Sequence, residues 1–336
     1  MKIRSFAALA AVLVALAPPA RAQDIQERTI RWGHLQNKDH PVSAGANKFG
    51  QVVEQKTGGK IKFREFPSSS LGSESQQQSA LQGGTQEMMS ASTTTLVGIV
   101  KEFGVLDFPF VFANEREADT FLDGPIGKRL LDRLPEHGLV GLAYWENGFR
   151  NVTNSKRPIT RVEDLAGLKI RVMQNPVYMD TFKTMDANPV PMAFGELFTA
   201  LETKTVDAQE NPYSIILGNK FNEVQKYLSV TRHSYNAFIV LMSKQFWDKL
   251  SPAEKQIMQE AAIEARTYER QVARTAAGKD LEALKAKGMQ VNELSPLETA
   301  RMRTLLKPVS DKFAASYDPA FMRDFNAEMD RIRKIK

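Results

Sequence analysis

The chain has 336 residues, a formal net charge of +6 and no cysteine. Lacking cysteine, it has no disulfide, thiolate nucleophile, Cys-ligated zinc or lipid on an N-terminal cysteine, so its fold rests on a hydrophobic core, and the length suffices for two domains. The charge is no nucleic-acid footprint: Lys2, Arg4 and Arg21 lie in the leading segment, the remaining charges alternate in sign along most expected helices, and no basic run is interleaved with aromatics.

Lys2 and Arg4 open a positive segment, Phe6 to Ala17 is a short apolar run, and Ala20-Arg21-Ala22 is a small-residue cleavage site. Residues 1–22 are therefore expected to be a secretory signal peptide cleaved after Ala22, with export to the periplasm and a mature start at Gln23. The apolar run is short of the roughly 20 residues that span a bilayer. Beyond it, Thr29 to His34 reads as a strand, Gln36 to His40 as a polar loop, and Pro41 to Lys56 as a helix with proline in its first turn. Thr57-Gly58-Gly59 ends that helix, and Lys60 to Phe66 alternates as the next strand. A loop at Ser68 to Gly72 leads to a helix through Gln82, then a Thr-rich segment and an aromatic stretch, Phe103 to Phe112. A helix over 115–134 and a strand over 138–145 close this first α/β set.

A second set follows. Ile170 to Val172 is a strand, Pro176 to Met185 and Phe194 to Thr203 are helices, Val206 begins a short strand, and Ser214 to Phe221 is helical. Asn236 to Ser243 reads as a buried strand. Ser251-Pro252-Ala253-Glu254 carries a capping-box spacing with proline at the first helical position. From there a helix runs to Lys287, about 36 residues and roughly 54 Å, longer than one small domain. Its apolar positions keep no strict heptads, so a strut packed on two domains is expected rather than a coiled coil. Leu294 to Lys336 holds one or two terminal helices, and no internal repeat is present. The expected lobes are 23–147 with 236–276, and 148–235 with 277–336, hinged near Asn147 and Tyr235.

No H-E-x-x-H, G-x-S-x-G, Walker A or dinucleotide glycine pattern occurs. His34 and His40 match no metal-ligand spacing and read as loop histidines. Glu74 and Glu210 are conceivable as an acid/base pair, but nothing in the sequence brings them together. No metal or cofactor is expected. Arg171 interrupts an apolar strand and is either a surface-paired arginine or a fixed fork for a carboxylate. Arg150 sits in a polar Gly-Phe-Arg-Asn segment. His34, Gln36 and Asn37 follow the first strand, where open α/β sheets bind ligands.

The segments GFRNVTNSKRPI, DLAGLKIRV, NPVPMAFGELFTAL and VDAQENP, and more weakly SSSLGSE, resemble the substrate-binding subunit of tripartite ATP-independent periplasmic (TRAP) transporters of the C4-dicarboxylate-binding type. The resemblance covers nearly all of the chain after residue 22. It implies a two-lobed α/β periplasmic binding protein fold with a central ligand cleft and a long helix across both lobes. It implies that Arg171 clamps the ligand carboxylate, that Arg150 is the secondary contact, and that Asn211 binds ligand. Glu74 matches a position that contacts polar ligand groups, although it also suits a helix start. Phe194 stands between a ligand-stacking and a core role. The function so implied is capture of a small organic acid by a monomer, which closes on it and docks on the small and large membrane subunits of an ion-driven permease. A hydroxylated monocarboxylate, a hexuronate first, is the expected cargo. A C4-dicarboxylate, an ATP-driven importer's binding protein, and a periplasmic enzyme acting on an organic acid are the alternatives.

Overall fold

The computed structural model describes residues 25–335; the expected signal peptide and its cleavage site lie outside them. The chain runs β1 (Arg28–Gly33), α1 (Pro41–Lys56), β2 (Ile61–Phe66), α2 (Glu74–Gln82), β3 (Met88–Ser92), α3 (Glu115–Leu122), α4 (Pro125–Leu131) and β4 (Leu139–Asn154). It continues through β5 (Lys169–Val172), α5 (Pro176–Thr184), β6 (Asn188–Pro191), α6 (Leu197–Glu202), β7 (Ala208–Asn211), α7 (Tyr213–Gly218) and β8 (Tyr227–Ser243). Last come α8 (Lys244–Asp248), α9 (Pro252–Ala286), β9 (Gln290–Glu293), α10 (Pro296–Ala314) and α11 (Pro319–Arg333).

One nine-stranded sheet carries the order β2-β1-β3-β8-β4-β7-β5-β6, with β9 on β8. Its two central strands are shared. Leu139–Trp145 of β4 pairs with Phe238–Ser243 of β8 beside β3, forming the first lobe. Asn151–Asn154 of β4 pairs with β7, while Tyr227–Val230 of β8 carries β9, forming the second. The strands cross between lobes at Glu146–Arg150 and Ser234–Ala237, with register shifts at Glu146/Gly148 and Arg150/Val152. Gly148 lies there at φ +110, which a side chain rarely adopts, so glycine permits the bend.

Both central strands are longer than the apolar pattern suggests, since β4 has 16 residues and β8 has 17. The polar stretch 146–154, beyond the strand expected over 138–145, is strand because its side chains find buried polar partners: Asn147 on Asn236, Arg150 on Glu210, Thr153 on Gln225. β3, hidden in the Thr-rich region, is buried at all five positions. The helix expected over 115–134 is instead split. α3 stops at Asp123, and Gly124-Pro125 restarts α4 with a proline at its first position, where the missing N–H is harmless.

In the first lobe, Trp32 stacks on Trp145 at 5.4 Å and meets Phe49 edge-on at 5.0 Å. Ser251 and Glu254 form the expected capping box, and α9 runs 35 residues from α1 to α7, touching both lobes. It lies against α1 so closely that a Cβ on Gly45 would sit 2.8 Å from Glu269 and Trp145. α11 departs from the expected lobe division. It packs on α3 and α4, where Arg129 pairs with Asp324 at 2.7 Å and lies over Phe321, so residues 319–333 sit with first-lobe elements.

No helix of the described residues is long and apolar enough to cross a membrane.

Candidate functional site

Where the shared strands cross, a cavity of about 30 Å³ lies between the lobes, lined by Gln36, Glu74, Asn147, Arg150, Arg171 and Asn211 among others. It shares Leu35, Glu74, Arg171, Met173 and Phe194 with a larger cleft of about 440 Å³. That cleft is fringed by polar groups, including Ser73, Ser75, Gln78, Gln174 and Glu196.

Arg171 sits on β5 between Ile170 and Val172, both fully buried, so its backbone is held rigidly. Its side chain is 2 % exposed. Nε and Nη2 both donate to Met192 O, at 3.0 and 2.8 Å, and no carboxylate among the described residues comes within ion-pair distance. Burial, and then the like charge of Arg150, pull its pKa down to about 10. A buried cation with one carbonyl for company calls for an anion.

Arg150, on β4, is in the opposite situation. Nε donates to Glu210 Oε2 at 2.5 Å, and Nη2 donates to Glu210 Oε1 at 2.8 Å and Glu210 O at 2.5 Å. The Tyr178 ring lies 5.6 Å away. Glu210, on β7, also lies 3.2 Å from His233 Nε2 of β8. Burial pushes the Glu210 carboxyl up, but Arg150 and His233 outweigh it and hold it below the usual range. The two arginines thus differ in charge balance: Arg150 is neutralised within the protein and Arg171 is not. Glu210 is committed to Arg150 rather than placed as an acid/base partner of Glu74.

Glu74 is the first residue of α2, whose Ser73 and Gln76 complete a capping box. It therefore serves the helix start and also lines the cavity. It accepts from the Ser92 N–H at 2.8 Å, and burial raises its pKa against the pull of Ser92, Arg171 and Arg150. Phe194 lines the cavity, lies 6.0 Å from the Arg171 guanidinium and also meets Phe221 at 6.1 Å. Asn211 ends β7 and donates through Nδ2 to Gln209 Oε1 at 2.5 Å.

The loop after β1 divides. Gln36 lines the cavity with a buried, unpartnered Oε1. His34 does not reach it, because its backbone N–H bonds Phe66 O and prolongs the β1–β2 ladder, and its Nε2 lies 2.9 Å from Glu65. Asn37 is turned to the lobe contact instead, donating to Gly218 O at 2.7 Å. His40 joins it there: Nδ1 accepts from Val42 N to cap α1, and Nε2 lies 3.2 Å from Ser214 Oγ of α7. His34 and His40 therefore make separate contacts, and no group of three metal-ligating side chains occurs among the described residues.

Sequence reasoning missed Asn147 and Ser92 as cavity residues. Asn147 stands just beyond the strand expected over 138–145, where only a hinge is expected, and Ser92 in a stretch read as a Thr-rich segment. Only the pairing of β4 and β3 with β8 turns them to the same place.

Residues 32–316 match the family described as bacterial extracellular solute-binding protein, family 7. The 2,3-diketo-L-gulonate-binding periplasmic protein YiaO of Escherichia coli (strain K12) is 37 % identical over 337 residues, covering 100 % of this chain and 99 % of its own. The sugar acid binding protein DctPAm from Advenella mimigardefordensis, solved with galactonate, is 42 % identical with a TM-score of 0.90, over 92 % of this chain and 100 % of its own. A TRAP periplasmic solute-binding protein from Polaromonas, solved with D-erythronate, is 40 % identical with a TM-score of 0.86, over 92 % and 99 %.

Proposed function

The chain belongs to family 7 of the bacterial extracellular solute-binding proteins, and from that premise we propose that it captures a sugar acid between its lobes for a TRAP permease. The observation that carries this reading is the contrast between the arginines. Arg171 is a buried cation with no carboxylate partner, while Arg150 is already matched by Glu210. The site therefore has one unmet positive charge, which suits one carboxylate. Around it stand groups that accept hydrogen bonds: Glu74, and the unpartnered oxygens of Gln36 and Asn147. Those groups favour ligand hydroxyls and oppose a second carboxylate.

The relatives named with galactonate, D-erythronate and 2,3-diketo-L-gulonate support a polyhydroxylated monocarboxylate. Hexuronates belong to the same chemical class. Arg150 Nη1 makes no hydrogen bond among the described residues, and this feature favours the C4-dicarboxylate alternative. Arg171 anchors the carboxylate, Arg150 and Asn211 are secondary contacts, and Glu74, Gln36 and Phe194 shape the remainder. The protein binds without turnover, works as a monomer, is exported and cleaved after Ala22, and delivers its cargo to the small and large permease subunits.

Native mass spectrometry of freshly purified protein, followed by a thermal-shift panel of aldonates, uronates, keto acids and C4-dicarboxylates, tests the reading. Stabilisation by a sugar acid is the expected result. Stabilisation by succinate or malate alone would overturn the assignment of cargo, and conversion of a bound acid would overturn the binding role.

A further inference from the structure

We infer that Asn147 is a specificity-determining residue of the cleft, a hydrogen-bond acceptor fixed by the protein to receive a ligand hydroxyl and to reject a carboxylate oxygen at that position. The inference rests on the sugar-acid reading above and adds a residue with a defined polarity. Asn147 lies on β4 where that strand crosses between lobes, lines the same cavity as Arg171, and is 8 % exposed. Its Oδ1 is buried with no partner. Its Nδ2 donates to Asn236 Oδ1 at 2.8 Å.

The direction of this amide follows from a relay behind it. Thr94 has a single hydroxyl proton, donated to Asp107 Oδ1 at 2.7 Å. Asp107, whose pKa burial raises to about 7 against the hydrogen bonds it accepts, uses its other oxygen to accept from Asn175 Nδ2 at 3.0 Å, so in the ionised form both carboxylate oxygens act as acceptors. Thr94 Oγ1 must therefore accept from Asn236, which it does from Nδ2 at 3.0 Å, with Ser92 Oγ accepting from the same nitrogen at 3.0 Å. With Asn236 Nδ2 held on that side, its Oδ1, which also accepts from Ser92 Oγ at 3.3 Å, faces Asn147 and accepts from Nδ2 of Asn147. The remaining polar atom of Asn147, buried and without a partner in a residue that lines the cavity, is then the oxygen. Rotating it to present the amine would set two oxygens against each other and leave a buried group unpaired. A ligand atom meeting Asn147 must carry a hydrogen.

The test is a binding cycle by isothermal titration, using D-galactonate and its monodeoxy forms as probes on the parent protein and on Asn147→Ala. The parent should lose about tenfold or more in affinity on removal of one particular hydroxyl. Asn147→Ala should lose a similar factor for D-galactonate, and the two losses should not multiply for that one deoxy form. A merely structural role for Asn147 predicts that the losses multiply for every deoxy form, which would overturn the inference. So would D-galactonate affinity within twofold of the parent in a folded variant. Should Asn147→Ala fail to fold, the deoxy series on the parent decides alone, because a series in which no hydroxyl matters more than twofold removes the acceptor's role. If the parent binds neither D-galactonate nor any other sugar acid, the functional reading falls and this inference with it. If the parent binds and the cycle fails, only the inference falls.

Discussion

Substituting Arg171 should separate affinity from stability. The Nε/Nη2 edge of the guanidinium is occupied by Met192 O, at 3.0 and 2.8 Å. Nη1 and the second hydrogen of Nη2 remain for a carboxylate, as a two-pronged end-on contact. Hydrogen bonds to charged groups contribute about 1.5–3 kcal/mol each, so two supply about 3 kcal/mol or more, a hundredfold or more in affinity. Arg171→Ala should lose that factor in isothermal titration against D-galactonate. Arg171→Lys keeps the charge, but its compact head cannot hold Met192 O and both carboxylate oxygens, so it should recover little. Stability should respond the other way. Without ligand, Arg171 has one carbonyl contact to set against the desolvation of a full charge, so the ligand-free Tm of Arg171→Met should be no lower than the parent's. Near-parental affinity in a folded Arg171→Ala protein would refute the anchor assignment. A clear drop in ligand-free Tm for Arg171→Met would refute the argument that its charge is unmet.

Arg150→Ala should do the reverse, removing about 3–5 kcal/mol of stability in urea unfolding because it strands the buried Glu210 carboxylate, and weakening binding less than Arg171→Ala does. For His40, burial and then His34 hold the folded pKa at about 3 against an ordinary 6.5, so the folded state keeps this ring neutral. Its contribution is present above pH 6.5 and is lost as pH falls from there toward 3, on the order of 1 kcal/mol per unit. His40→Asn, which still caps α1, should flatten that part of the stability profile; an unchanged slope between pH 6 and 4 would exclude His40 as the cause. Closure about the crossings near Asn147 and Tyr235 should reduce the radius of gyration in small-angle scattering at saturating D-galactonate, and an identical profile with and without ligand would count against a hinge there.

What could be read from the sequence follows from where the information lies. Elements with local signatures were legible: α1 begins at its proline, α9 at its Ser-Pro-Ala-Glu box, and Arg171 stands out because a charge between Ile170 and Val172 breaks an apolar strand. The division of labour between the arginines was not, because it depends on Glu210 and His233, each brought beside Arg150 by the pairing of β4 with β7 and with β8. The same non-local pairing explains the missed length of β4 and β8. Period-two alternation marks a strand only when one face is apolar, and at the crossing the buried faces are polar because they pair with one another, with Asn147 and Arg150 also lining the cavity. The stretch that looks least like a strand is therefore the one that builds the candidate site.

His34 and Gln36 carry the lesson further. They are two residues apart and equally polar, and the same rule about strand ends points to both. Only Gln36 lines the cavity, because Glu65 on the neighbouring strand engages His34. Asn147 is the converse, a residue without any motif whose polarity toward the cavity is set by Thr94, Asp107 and Asn236, all distant in the chain. Charge demand at this site is encoded locally, in the strand that holds Arg171. Hydrogen-bond direction is encoded by the fold, and it is direction that separates one hydroxylated acid from another.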